Sequence, residues 1–152
     1  MNIRRARPDD IDAIRCLNSK IFVNNAEYDN DMISEFAQTQ AGKKYFQEAI
    51  IRQDGCFFVV EEDGVLVGYT NGGHKDIPYR QSRYFEIENL GIVPEMAGKG
   101  LGKALLDTIT TWAKEHGYQK IYLESYIKNN HAIDFYRKNG YHDIDISLEK
   151  NI

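Results

Sequence analysis

The sequence predicts a single α/β domain (α+β in some schemes) over residues 1–152. Three observations predict it. The length fits one domain and leaves little room for a second. Short apolar runs bounded by turn residues mark strands, and they alternate with longer stretches of helical apolar spacing. Hairpins and helix crossovers occur together, which favours a sheet domain over a helical bundle.

The elements follow in order. Ile3 to Ala6 reads as a short first strand. Pro8 suits the first turn of a helix, with Asp9 and Asp10 near its positive end. Ile11, Ile14, Leu17 and Ile21 give that helix an apolar face that fades near Asn24–Asn25. A helix-rich region from about Met32 to Ile50 follows, bent or interrupted near Gly42. Cys56 to Val60 is a strand, Glu61 to Gly64 turns the chain, and Val65 to Tyr69 completes a hairpin. A further strand runs from Tyr84 to about Val93, and regular alternation puts Glu86 and Glu88 on one side of it. A helix starts around Gly100, packs through Leu101, Ala104, Leu105, Thr108, Ile109 and Trp112, and stops at Gly117. Lys120 to Glu124 is a strand. Asn129 or Asn130 caps a short helix that ends at Asn139–Gly140, and a final strand aligns His142, Ile144, Ile146 and Leu148.

Composition narrows the function. Hydrophobic residues make up 42% of the chain and charged residues 28%, which excludes a largely disordered polymer. A chain of this size buries roughly 70% of its extended surface, enough for an ordinary core. The 19 basic and 23 acidic side chains give a net charge of -4, against a general nucleic-acid binder and compatible with a cationic substrate. Cys16 and Cys56 form no CxxC pair and read as apolar thiols. No stretch is long and apolar enough to cross a bilayer, and the basic N-terminus lacks a hydrophobic signal core, so no membrane association and a cytoplasmic location are expected. His74, His116, His131 and His142 lack metal-ligand spacing, and no metal is expected.

The most informative segment is Ala97-Gly98-Lys99-Gly100-Leu101-Gly102-Lys103, at a strand-to-helix junction. Its glycines permit dihedrals closed to other residues and let an anion approach the backbone. The unpaired amides of a helix start then accept phosphate oxygens, and Lys99 and Lys103 add attraction. A purely structural turn is the alternative. There is no GxxxxGK[ST]. A GxGxxG reading places Lys103 or Leu105 where the third glycine belongs, which ranks a nucleotide-dependent oxidoreductase last.

At this point the chain resembles the GNAT family of N-acetyltransferases. Gly100 and Gly102 match the last two positions of its Q/R-x-x-G-x-G/A signature, with Ala97 in place of the usual Gln or Arg. Asn129, Ala132, Phe135, Tyr136, Lys138, Gly140 and Tyr141 match its N-x-x-A-x-x-F-Y-x-K-x-G-F/Y ending. The resemblance implies a GNAT acyl-CoA N-acyltransferase fold: a mixed, twisted sheet flanked by helices, whose central parallel strands separate into a V-shaped cleft for acetyl-CoA. It places the pyrophosphate against the backbone of Gly98, Lys99, Gly100, Leu101, Gly102 and Lys103. The pantetheine arm would pair with backbone near Leu90 and Ile92, and Asn129 would contact the pantetheine or adenosine portion or act as a helix cap.

The chemistry asks for two further groups. An attacking ammonium must lose a proton, and a departing thiolate needs a donor. Glu86 is the first choice of base and Glu88 the alternate, either of which otherwise lies on a solvated sheet face. Tyr136 stands where related enzymes present a phenol to the CoA sulfur; a half-buried helix tyrosine is the alternative. With no Cys/His pattern for a covalent intermediate, the expected activity is direct acetyl transfer to a primary amine, with a noncatalytic CoA-binding regulatory domain as the second reading. Glu27, Asp29, Asp31 and Glu35 form an acidic stretch near Tyr28 and Phe36 that either attracts an amine-bearing small molecule or peptide or is a soluble loop. A homodimer is compatible with this reading.

Overall fold

The computed structural model describes all 152 residues. Its strands are β1 (Asn2–Arg5), β2 (Gly55–Glu62), β3 (Val65–Lys75), β4 (Tyr84–Ile92) and β5 (Lys120–Tyr122). Its helices are α1 (Ile11–Ile21), α2 (Asn25–Tyr28), α3 (Gln40–Ile51), α4 (Leu101–Glu115) and α5 (Asn130–Lys138). The sheet runs in order β1-β2-β3-β4-β5, antiparallel throughout except for the parallel pair β4–β5.

Strand alternation divides the core into two layers. Phe57, Val59 and Tyr69 point toward α1 and α3, where Ile14, Leu17, Phe46, Ala49 and Ile50 meet them. Cys56, Phe85 and Ile87 point the other way, onto Leu106, Ile109 and Ala113 of α4, with Phe135 and Tyr136 of α5 alongside. Asp63 and Gly64 both take positive φ (49° and 78°), the conformation that a two-residue Asp-Gly turn needs to join twisted strands.

Several elements differ from the sequence expectation. The predicted bend at Gly42 lies earlier: Phe36–Gln38 form a 3-10 turn, and Thr39 caps α3 by accepting from Gly42 N at 3.0 Å. Gly42 itself lies inside α3. A Cβ there would stand 2.0 Å from Phe36 O, so the glycine marks a close approach between turn and helix. β3 continues past Tyr69 to Lys75, through Gly72–Gly73. β5 pairs only through Tyr122, short of Glu124.

The final strand predicted through His142, Ile144, Ile146 and Leu148 does not form. That segment carries no ladder, and Ile146 and Leu148 are 71% and 89% exposed. It is tethered by two ion pairs, Arg137–Asp143 and Arg80–Asp145. With no strand beyond it, β5 is the sheet edge. The parallel pair implied by the resemblance is therefore a single edge pair and not central.

Candidate active site

A break in the sheet organises the site. β4 and β5 pair over only three rungs, Tyr84–Lys120, Phe85–Ile121 and Glu86–Tyr122. Immediately beyond, the β3–β4 register shifts between Asn71 and Gly72: Gly72 faces Ile87, Asn71 faces Asn89, and Glu88 is the extra residue of a β-bulge. Beyond Glu86, β4 has no partner on its β5 side, which leaves a gap along 87–92 where the bulge begins.

The bulge also resets which groups face the gap. Val93 N donates to Val67 O (2.9 Å), and the pairing alternates from there, so Gly91 exchanges hydrogen bonds with Tyr69. Leu90 and Ile92 occupy the intervening positions. Their N–H and C=O groups point away from β3, into the gap. Both residues named for an extended ligand are thus on an unpaired strand edge.

At the mouth of the gap stands the glycine loop. Gly98 and Gly100 have φ of 77° and 79°, with nothing within 4 Å of either position where a Cβ would project. The first intrahelical bond of α4 is Ala104 N to Gly100 O, and no side chain caps the helix. The amides of Gly100, Leu101, Gly102 and Lys103 therefore have no partner within the helix. This cradle of free donors at the positive end of a 15-residue helix fits a phosphate group. The lysines are less committed to it: Lys103 pairs with Asp107 on its own helix, and Lys99 Nζ lies 3.3 Å from Met96 Sδ.

α5 closes the loop side. The Phe135 ring would lie 3.8 Å from a Cβ on Gly102, which seats α5 against the first turn of α4. Asn129 caps α5, its side chain accepting from Ala132 N at 3.2 Å. Tyr136 packs edge-on to Phe135 and Tyr141, with ring centres 5.3 and 5.5 Å away. Burial pushes its phenol up to about 12, with Tyr141 adding to the rise. Arg137 Nε donates to Asp143 at 3.0 Å.

The carboxylates occupy the opposite face of the sheet, toward α3. Glu86 stands at the last paired rung, 3.5 Å from Lys75, whose ammonium lies 5.1 Å from the Tyr122 ring centre. Glu88, at the bulge, accepts from Arg52 Nη1 at 2.8 Å. Burial raises the Glu88 carboxyl above its usual range; Arg52 pulls it down, and Glu86 and Asp54 push it further up. Beside it, Asn71 and Asn89 each donate to the Tyr45 hydroxyl at 2.9 Å, and Asn89 also donates to Asn71 Oδ1 at 3.0 Å. Asn71 is completely buried, so this network fixes the bulge from inside.

One acid of the acidic stretch, Asp29, is tied to the loop after β5. The Tyr126 hydroxyl donates to Asp29 at 3.0 Å, and the Tyr28 and Tyr126 rings are 6.0 Å apart, clasping α2 to the loop after β5. Sequence reasoning missed Arg52, Tyr45, Lys75 and Tyr126. For Arg52 a signal existed, since glycines inside a strand mark a close approach of another group. Cys56 is buried and burial pushes its thiol up to about 12, while Cys16 is exposed and not part of the apolar interior. All four histidines are exposed, and His116 stacks on Trp112. No helix is long and apolar enough to cross a membrane.

Comparison with known proteins places this architecture. The model of the Acetyltransferase (GNAT) family matches residues 15–141, and the chain belongs to that family. It is 26% identical over 145 residues to an uncharacterized N-acetyltransferase of Methanocaldococcus jannaschii, a match covering 95% of this chain and 62% of the relative. It spans 48% and 41% of two further relatives. Among solved structures, the BH1408 protein of Bacillus halodurans (as a tetramutant) superposes with a TM-score of 0.87 at 22% identity, over the full length of both chains. The aminoglycoside N-acetyltransferase AAC(6')-Iy, determined in complex with CoA, has a TM-score of 0.76 at 14% identity, covering 99% of this chain and 93% of that one.

Proposed function

We propose that this chain is an acetyl-CoA-dependent N-acetyltransferase that moves the acetyl group directly to a primary amine. The observation that carries the reading is the alignment of two sets of unpaired backbone groups. The free amides of Gly100 to Lys103 suit a pyrophosphate, and the outward N–H and C=O groups of Leu90 and Ile92 suit an extended amide-bearing arm. The AAC(6')-Iy neighbour, solved with CoA, supports the choice of ligand.

When bound, acetyl-CoA supplies an activated acyl group and a thiolate leaving group. The amine approaches from the α3 face, where Glu88 removes its proton. Its nitrogen then bonds to the acyl carbon and gives its remaining extra proton to solvent, the carbon–sulfur bond breaks, and the Tyr136 hydroxyl donates a hydrogen bond to the departing sulfur from the α5 face. Glu88 is the preferred base because it is half-buried at the bulge and burial raises its carboxyl above the usual range. One observation favours Glu86 as a second reading: it stands on the rung where β4 and β5 part. The acidic and aromatic groups around α2 suit a cationic acceptor, a small-molecule amine or a peptide.

Release of free CoA across a panel of alkyl amines, aminoglycosides and peptide N-termini tests the activity. Tight acetyl-CoA binding without turnover on any of them points instead to a noncatalytic regulatory domain. Gly100→Val tests the cradle. A β-branched residue at φ 79° is strained by about 1–2 kcal/mol and turns the loop amides away. Acetyl-CoA affinity is expected to fall about tenfold by calorimetry, with the far-UV circular dichroism unchanged. Wild-type affinity in a folded variant removes the cradle from the site.

A further inference from the structure

We infer that Arg52 is a positioning residue for acetyl transfer, which holds the Glu88 carboxylate in place at the bulge of β4. The inference rests on the reading of Glu88 as the base. Arg52 follows the last residue of α3 and lies across the sheet, its side chain 28% exposed. Nε donates to Asp54 at 2.9 Å and Nη1 to Glu88 at 2.8 Å, so one guanidinium bridges the loop before β2 to the bulge of β4.

The sheet is cut to fit it. Gly55 and Gly73 are direct cross-strand partners in β2 and β3. A Cβ on Gly55 would stand 2.8 Å from Arg52 Cδ; one on Gly73 would stand 2.2 Å from Cζ and 2.3 Å from Nη2. Glycine weakens a strand, and two facing each other weaken it twice. The guanidinium occupies the space that a Gly73 side chain would fill, while a Cβ on Gly55 would meet Gly72 O at 2.2 Å before it met the arginine stem. Gly73 and the arginine form one device, and its free end meets Glu88.

The charges around Glu88 make the device consequential. From β4 itself comes Glu86, from the loop before β2 comes Asp54, and from α3 comes the neutral Tyr45 hydroxyl. Lys75 is committed to Glu86 at 3.5 Å. Arg52 is the cation that opposes burial and two neighbouring acids. Without it, a half-buried carboxylate beside two acids takes up its proton at a higher pH, and the base is lost earlier as pH falls. Arg52 also takes one Glu88 oxygen, Oε2, and leaves Oε1 for the proton of the acceptor.

The test is the pH dependence of kcat/KM for wild type, Arg52→Met, Arg52→Lys, Gly73→Ala and Glu88→Gln, together with an NMR titration of the Glu88 side-chain carboxyl without acetyl-CoA. Arg52→Met is expected to move the acidic limb and the NMR midpoint up by about one pH unit. That is about a tenfold loss below the limb and a rate near wild type above it. Gly73→Ala keeps the arginine and displaces it, and is expected to give the same shift. Arg52→Lys keeps the charge without the two-ended bridge and falls between. A merely structural arginine lowers the rate equally at every pH. If Glu88→Gln abolishes the limb while Arg52→Met and Gly73→Ala leave limb and midpoint unmoved, the inference about Arg52 is overturned. If Glu88→Gln keeps the limb, the base assignment falls and the catalytic role of Arg52 falls with it. In that case the NMR midpoint still reports whether Arg52 governs the charge of Glu88.

Discussion

Glu88→Gln is expected to lower kcat/KM by about 100-fold at neutral pH and to erase the acidic limb of the pH–rate profile. The amide oxygen can still accept from Arg52 Nη1, so the bulge and its hydrogen bond to α3's end are kept while the basic site is lost. The sign follows from the carboxyl's environment. Burial and two nearby acids raise Glu88, so it gains its proton at a higher pH than an ordinary glutamate. Below that point the base is neutral, and the rate falls about tenfold for each pH unit. Glu86→Gln is expected to keep the limb and cost only a few-fold, because Glu86 faces Lys75 at 3.5 Å. The opposite pattern, with the limb lost in Glu86→Gln and kept in Glu88→Gln, assigns the proton to the residue at the splitting rung. Both variants should bind acetyl-CoA as wild type does, since neither touches the loop of Gly98 to Lys103.

How much of this could be read from the chain depends on how local each feature is. The glycine loop and the start of α4 are local: three glycines between a strand and an amphipathic helix point to free amides wherever that pattern occurs. The same holds for Asn129, whose capping of α5 follows from its place before the helix. Period-two alternation was enough to place Glu86 and Glu88 on one face. It was not enough to find the bulge, because a bulge is a mismatch between two strands and neither strand alone contains it. The hairpin strand read from Val65 to Tyr69 runs on through Gly72 and Gly73, because Glu86 O and Phe85 crowd the first glycine and Arg52 the second. The tail fails in the other direction. Its alternation of apolar and acidic residues from His142 to Leu148 is a strand pattern, but a strand needs a partner for its backbone, and only two arginine–aspartate pairs hold this one.

Tyr136→Phe is expected to reduce kcat by about 100-fold while changing the Kd for acetyl-CoA by no more than about twofold. The ring makes its contacts with Phe135, Tyr141 and the α4 layer through carbon, and phenylalanine keeps them. What is removed is a hydroxyl that no hydrogen bond within the chain engages. Its acidity decides how it acts. Burial pushes the phenol up to about 12, so it keeps its proton at working pH. On the proposed reading the hydroxyl acts as a hydrogen-bond donor to the thiolate as the carbon–sulfur bond breaks, and solvent supplies the proton later. This gives the substitution a signature unlike that of Glu88→Gln. Tyr136 stays protonated across the working range, so its loss lowers the plateau of the pH–rate profile and leaves the limb in place. A variant that binds acetyl-CoA more weakly at unchanged kcat makes Tyr136 a binding residue only, and one that changes neither removes it from the reaction.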